Sequence, residues 1–206
     1  MRKKELTQEK IKKVATKLFN EKDSLSITTN HIAKEANISP GNLYYHYKNK
    51  EAIILEIYKD MSKKFESFES FNKILTSKNS IKTWNEMYDS YLELFWEYRF
   101  LMKDNTTLMA IYPELKKIFS EKQKIRIEQI KKLYRYWIEE QIITPIDEKE
   151  LHIRAKLSWF VSAYWQVFTS IDSDITKESI KEVKEIIFKL QLYPLLTNKG
   201  KELLKE

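Results

Sequence analysis

Apolar residues recur along this chain at the three- and four-residue steps of a helical face. Ile11, Val14, Ala15, Leu18 and Phe19 form the first such stripe, with Thr7 as a candidate N-cap, and it ends in the polar run Asn20–Ser24. Thr28 then opens a short helix that buries Ile32, Ala33 and Ala36. Asn37 stands where that helix must leave the right-handed region, and Asn tolerates this better than most residues. Ser39 caps a third helix with Pro40 in its first turn, where a missing amide hydrogen costs nothing. A longer helix followed by two short ones across a tight turn is the layout of a helix-turn-helix.

A fourth helix is expected from about 49 to 75, carrying Ile54, Ile57, Tyr58, Met61, Phe65 and Phe68, with a linker at Thr76–Ser80. Five more follow, about nine in all. They are the stripe Ile81, Trp84, Met87, Tyr88, Tyr91, Phe95; a short piece at 106–112; a long charged helix from Pro113; a helix over 148–171; and a last one with Ile180, Val183, Ile187 and Leu190 that stops before Pro194. The fold class is all-α. A DNA-binding head at 1–50 is carried on a body at 51–206, with the fourth helix connecting them.

Composition agrees. With 2 Gly and 4 Pro the chain lacks the turn formers of a sheet-rich fold, and with 0 Cys it has no disulfide, thiolate site or cysteine nucleophile. Its longest uncharged run, Leu157–Ile171, is short of the roughly 20 apolar residues of a membrane span. No signal peptide is legible, so a cytoplasmic location is expected, with no membrane partner. Net charge is +7, and residues 1–60 hold 12 Lys and Arg against 8 Asp and Glu, a basic bias suited to a polyanion near the N-terminus.

Chemistry concentrates in residues 28–51. Pro40, Gly41 and Asn42 are small or polar and open the third helix, where the backbone must approach base edges. Leu43 and Tyr47 are four apart and face inward, while Tyr44, Tyr45 and His46 crowd the outer side. Lys50 lies in the first turn of the next helix, where a phosphate would meet both its ammonium and free amides. This segment resembles the DNA-binding head of the TetR family over about residues 8–58. The resemblance implies a homodimeric repressor. It also implies that Thr28, Thr29, Tyr44, His46 and Lys50 contact the DNA backbone, while Asn30, Pro40, Gly41, Asn42 and Tyr45 read bases. Asn37 departs from the Gly usual there, at a modest cost in stability.

In the body, Leu157–Phe168 is apolar on nearly all sides and must be covered all round, within one subunit or by a second copy. Helix-turn-helix proteins read two half-sites as dimers, which favours a four-helix interface of 148–171 with 177–193 from each subunit. Tyr88, Tyr91, Met109, Tyr134, Trp137, Tyr164 and Phe168 are the candidate wall of a pocket for a small, largely apolar effector. The three His, at 31, 46 and 152, form no metal motif, and no catalytic or cofactor-binding motif is present, so an enzyme is not expected. The alternative to a ligand-responsive repressor is a non-specific DNA-binding or structural helical protein, which would show no preference for a particular sequence.

Overall fold

The computed structural model describes residues 3–67 and 70–205. Its helices are α1 (Lys3–Glu21), α2 (Thr29–Glu35), α3 (Pro40–His46), α4 (Lys50–Ser67), α5 (Ser70–Thr76), α6 (Ser80–Glu97), α7 (Arg99–Lys103), α8 (Asn105–Ile111), α9 (Pro113–Glu139), α10 (Glu148–Thr169), α11 (Lys177–Ile186) and α12 (Asn198–Glu202). The helix starts at Lys3, so Thr7 lies inside α1 and does not cap it. Phe68, expected on the fourth helix, falls outside the described residues, as does the join between α4 and α5.

Local chemistry explains the two short helices. The Thr28 hydroxyl accepts from the His31 amide at 3.3 Å, and His31 Nδ1 accepts from the Thr28 amide at 3.3 Å. This is a capping box with His in the place of the usual Glu or Gln. At the other end of α2, Asn37 has φ 50°. The Ile38 amide donates to Ala33 at 3.0 Å and the Asn37 amide to Lys34 at 3.0 Å, the paired bonds of a Schellman motif. Asn37→Gly removes the left-handed penalty but loosens the unfolded chain, so stability should rise by no more than about 1 kcal/mol. Thermal unfolding checks this, and a loss would mean that the Asn side chain contributes more than its backbone costs. Ser39 accepts from the Asn42 amide at 3.1 Å and starts α3.

Two apolar cores follow. The first joins Ile11, Phe19, Ile32 and Leu43 to Ile54 and Ile57 of α4, and continues into Phe100, Leu108 and Phe119. The second lies between α6, the later half of α9, α10 and the C-terminal segment, around Trp137, whose Nε1 donates to Ser80 Oγ at 3.0 Å. The N-terminal helices are therefore packed on the body. Asn20 stitches them further: its Nδ2 donates to the Glu97 carbonyl at 2.8 Å, and its Oδ1 accepts from the Phe100 amide at 3.0 Å. Buried Ser24 donates to the Asp104 carboxylate.

The end of the chain departs from simple α periodicity. After Ile187 the helix continues as one π segment, Ile187–Leu192. The wider turn advances the register, so Gln191 and Leu192 are buried where Leu190 was expected, and Leu190 is 69% exposed. The chain then pairs Ile143 with Leu196 in a single antiparallel bridge. A Cβ at Gly200 would lie 2.2 Å from the Ile142 carbonyl oxygen, so only Gly fits at that crossing.

Candidate functional site

The outer face of α3 is built as the pattern of residues requires. Leu43 and Tyr47 are buried beneath it, while Tyr44 and Tyr45 are 51% and 73% exposed. Burial pushes the Tyr47 hydroxyl up to about 12, consistent with a packing role. Pro40, Gly41 and Asn42 are exposed, and nothing lies within 4 Å of a Cβ built on Gly41, so the helix start is open. Asn30 is exposed on α2. Thr29 Oγ1 and the Tyr44 hydroxyl are 2.9 Å apart, which ties the start of α2 to α3. Lys4 places its ammonium 5.7 Å from the Tyr45 ring centre, so the basic N-terminus lies beside the same face.

Three residues are more engaged than expected. The Thr28 hydroxyl is already an acceptor for its own helix. His46 packs edge-on against Tyr45 with centroids 5.1 Å apart, and its Nδ1 is buried with no partner among the described residues. Lys50 departs furthest. Its ammonium donates to the carbonyls of Ser24 at 3.0 Å, Leu25 at 3.0 Å and Ile27 at 2.9 Å, which uses its three donors inside the protein. Burial lowers its pKa against the opposing pull of Asp23. The expected offer of this ammonium to a phosphate does not fit that geometry. The α4 start is capped instead by Asn49, which accepts from the Ala52 amide at 2.9 Å.

In the body, a cavity of about 110 Å³ lies between α4, α5, α6, α9 and α10. Tyr88 and Tyr91 line it, and Phe65 stacks on Tyr91 with centroids 4.1 Å apart and planes at 11°. Tyr134 and Trp137 line only a neighbouring void of about 30 Å³, with Tyr88 shared between the two. Met109 and Tyr164 pack on the first core instead, and Phe168 is 63% exposed. The expected seven are therefore not one wall: Met109, Tyr164 and Phe168 are corrected out of it. The reason is phase, since Tyr164 and Phe168 sit on the side of α10 opposite Trp159, Ser162 and Ala163, which face the cavity.

The sequence reading missed Arg126, Asn105 and Trp159, which do line the cavity. For Arg126 a signal existed. It falls in step with Phe119, Ile130, Leu133 and Trp137 on the apolar stripe of α9, where a cation is out of place. A larger open groove of about 1,120 Å³ runs between α1, α4 and the end of α6, but its walls carry paired charges such as Lys12 with Asp60 and Lys64 with Glu97.

Comparison with known proteins decides what this architecture belongs to. The model described as bacterial regulatory proteins, tetR family, matches residues 11–57, and the TetR model described as bacterial transcriptional repressor matches residues 64–204. The chain belongs to the TetR family. It is a DNA-binding transcriptional regulator, not an enzyme. Over 50 residues this TetR-family chain is 46% identical to the HTH-type transcriptional regulator QacR of Staphylococcus aureus, a match spanning 24% of the chain and 27% of QacR. A TetR-family regulator from Marinobacter aquaeolei VT8 superposes with a TM-score of 0.82 at 26% identity, covering 100% of this chain and 97% of that one. AibR, solved with isovaleryl coenzyme A and operator DNA, shares the fold at a TM-score of 0.62 and 17% identity, over 89% of this chain and 97% of AibR.

One further surface matters for a TetR-family regulator, because such proteins bind operators typically as dimers. Ile153, Leu157, Phe160 and Phe168 are 54%, 45%, 59% and 63% exposed and follow one another at steps of four, three and eight residues along one face of α10. Ile171, 79% exposed, continues the line, and Leu190 and Tyr193 are exposed nearby in the chain's last segment. The expected α11 stripe is not part of this surface. Ile180, Val183 and Ile187 are buried inside the subunit. Among the described residues, no helix is long and apolar enough to cross a membrane.

Proposed function

We propose that this chain is an operator-specific repressor whose head, residues 1–50, reads DNA with α3 and whose body, residues 51–206, dimerises and is switched by a small, largely apolar effector. The observation that carries the reading is the division of α3 into two faces. Leu43 and Tyr47 are locked inward, while Pro40, Gly41, Asn42, Tyr44 and Tyr45 stand open. In this assignment Asn30, Pro40, Gly41, Asn42 and Tyr45 meet bases. Thr28, Thr29, Tyr44 and His46 meet the sugar–phosphate backbone, His46 through Nε2. Lys50 acts one step back, by holding the loop before α2.

The two heads of a dimer must enter major grooves one turn apart, at roughly 34–36 Å. The dimer is assigned to the exposed face of α10 with Leu190 and Tyr193, which keeps the expected helices but not the expected α11 residues. The effector is assigned to the cavity against α4, because Tyr58, Met61 and Phe65 of that helix line it. At 18 residues α4 reaches about 27 Å, far enough to carry a displacement in the body to the head.

Selection of bound sequences from random DNA tests the reading. A pseudo-palindrome is expected, and Tyr45→Ala should cost about tenfold in preference for it. Equal binding of all duplexes would point to the non-specific protein instead.

A further inference from the structure

The cavity is not simply apolar. Asn105 is 5% exposed, and its Nδ2 donates to the Ala163 carbonyl at 2.8 Å. That bond fixes the amide, since a flip would set two oxygens against each other. Its Oδ1 is left buried with no hydrogen-bond partner among the described residues. Trp159 Nε1, in the same wall, is a buried donor with no partner either. A buried amide oxygen and indole N–H left unused in one cavity are a recognition pair awaiting a ligand.

The third group is Arg126. Its guanidinium lies 4.0 Å from the Phe65 ring centre and gives one donor to Gln129 at 2.7 Å. No carboxylate pairs with it among the described residues, and the nearby Glu66 is held by Lys122. Burial lowers its pKa, but a guanidinium stays protonated near neutrality. A half-buried cation over an aromatic ring, with no carboxylate in ion-pair contact among the described residues and Glu66 acting on it only through its charge, suits an anion. At about 110 Å³ the space is smaller than the roughly 150 Å³ that holds benzene, so a single-ring ligand enters only by pushing the wall outward, α4 included.

We infer that the effector is a small single-ring carboxylate, its anionic end on Arg126 and a hydroxyl at its far end donating to Asn105 Oδ1 and accepting from Trp159 Nε1. This rests on the reading of the cavity as the effector site.

The probes are 4-hydroxybenzoate, benzoate and 4-hydroxybenzamide, titrated into the full chain and followed by tryptophan fluorescence and calorimetry. 4-Hydroxybenzoate should bind at least tenfold tighter than the neutral amide. Arg126→Gln should abolish that preference while leaving amide binding in place, which also shows that the variant is folded. Should Arg126→Gln fail to fold, Arg126→Lys serves: it should keep a preference for the carboxylate. Asn105→Leu should remove the advantage of 4-hydroxybenzoate over benzoate. Equal binding of acid and amide, an unchanged preference in Arg126→Gln, or no binding of any probe overturns the inference. Operator release is scored separately. If a cell extract releases the operator but these acids do not bind, the inference falls and the repressor reading stands. If the acids bind through Arg126 and the operator stays occupied, the cavity takes such acids but they are not the effector, so the assignment of the switch to this cavity falls.

Discussion

Replacing Phe160 and Phe168 together by Glu is expected to leave the chain monomeric and to lower operator affinity by about 10²–10⁴-fold. Both side chains stand on the outer face of α10, in line with Ile153, Leu157 and Ile171, and none of the five is needed to cover the subunit's own core. A stable interface buries about 800 Å² on each partner, and a buried aromatic contributes about 150–250 Å². A face with two Phe, flanked by Tyr193 and Leu190, supplies much of that area. Four carboxylates meeting across a two-fold axis would be buried without partners, which no surrounding contact offsets.

The loss of affinity is one of linkage, not of contact. Each head of the variant should bind an isolated half-site as the wild type does, and only the gain from holding two heads at matched spacing disappears. Analytical ultracentrifugation, with binding to whole and half operators, separates the two. A variant that remains dimeric with wild-type operator affinity would show that another surface joins the subunits.

Much of this was legible in the residues. The capping Thr28 and Ser39, the left-handed Asn37 and the inward pair Leu43 and Tyr47 each follow from local chemistry that needs no tertiary partner. The body is less legible, for physical reasons. The π segment at Ile187–Leu192 shifts register without any Pro or Gly to announce it, so Leu190 leaves the line of Ile180, Val183 and Ile187 and is exposed while Gln191 is buried. The expectation of α11 in the dimer interface rests on the pairing of half-sites and on the stripe Ile180, Val183, Ile187 and Leu190, but a stripe says that one face is covered and not by which chain. The wall expected from Tyr, Trp, Met and Phe leaves out Asn105 and Arg126, polar lining residues whose burial depends on packing between distant helices.

Lys50→Met should lower the midpoint of thermal unfolding by roughly 4–12 °C, from a loss of about 2–3 kcal/mol. Its ammonium holds three carbonyls of the Ser24–Ile27 loop, and a charge-assisted hydrogen bond is worth about 1.5–3 kcal/mol net. The three bonds share one half-exposed group that water partly replaces, so they do not add in full. That loop leads directly into the Thr28 cap, so loosening it also blurs the placing of α2 and α3. Operator affinity should therefore fall together with stability.

Salt dependence distinguishes this from a phosphate contact. Loss of a phosphate contact lowers the slope of log K against log salt by about 1 and leaves the fold as stable as before. Loss of the clamp lowers stability and leaves the slope unchanged. The position of Lys50 also gives the switch a route. Asn105 in the cavity wall adjoins Asp104, which accepts from Ser24, whose carbonyl is one of the three that Lys50 holds. An effector that moves the start of α8 thus pulls on the loop that sets the recognition helix. In Lys50→Met that loop is released at one end, so effector-driven loss of operator binding should shrink even where the effector still binds. A variant that kept both wild-type stability and the full effector response, with a smaller salt slope, would return Lys50 to the phosphates.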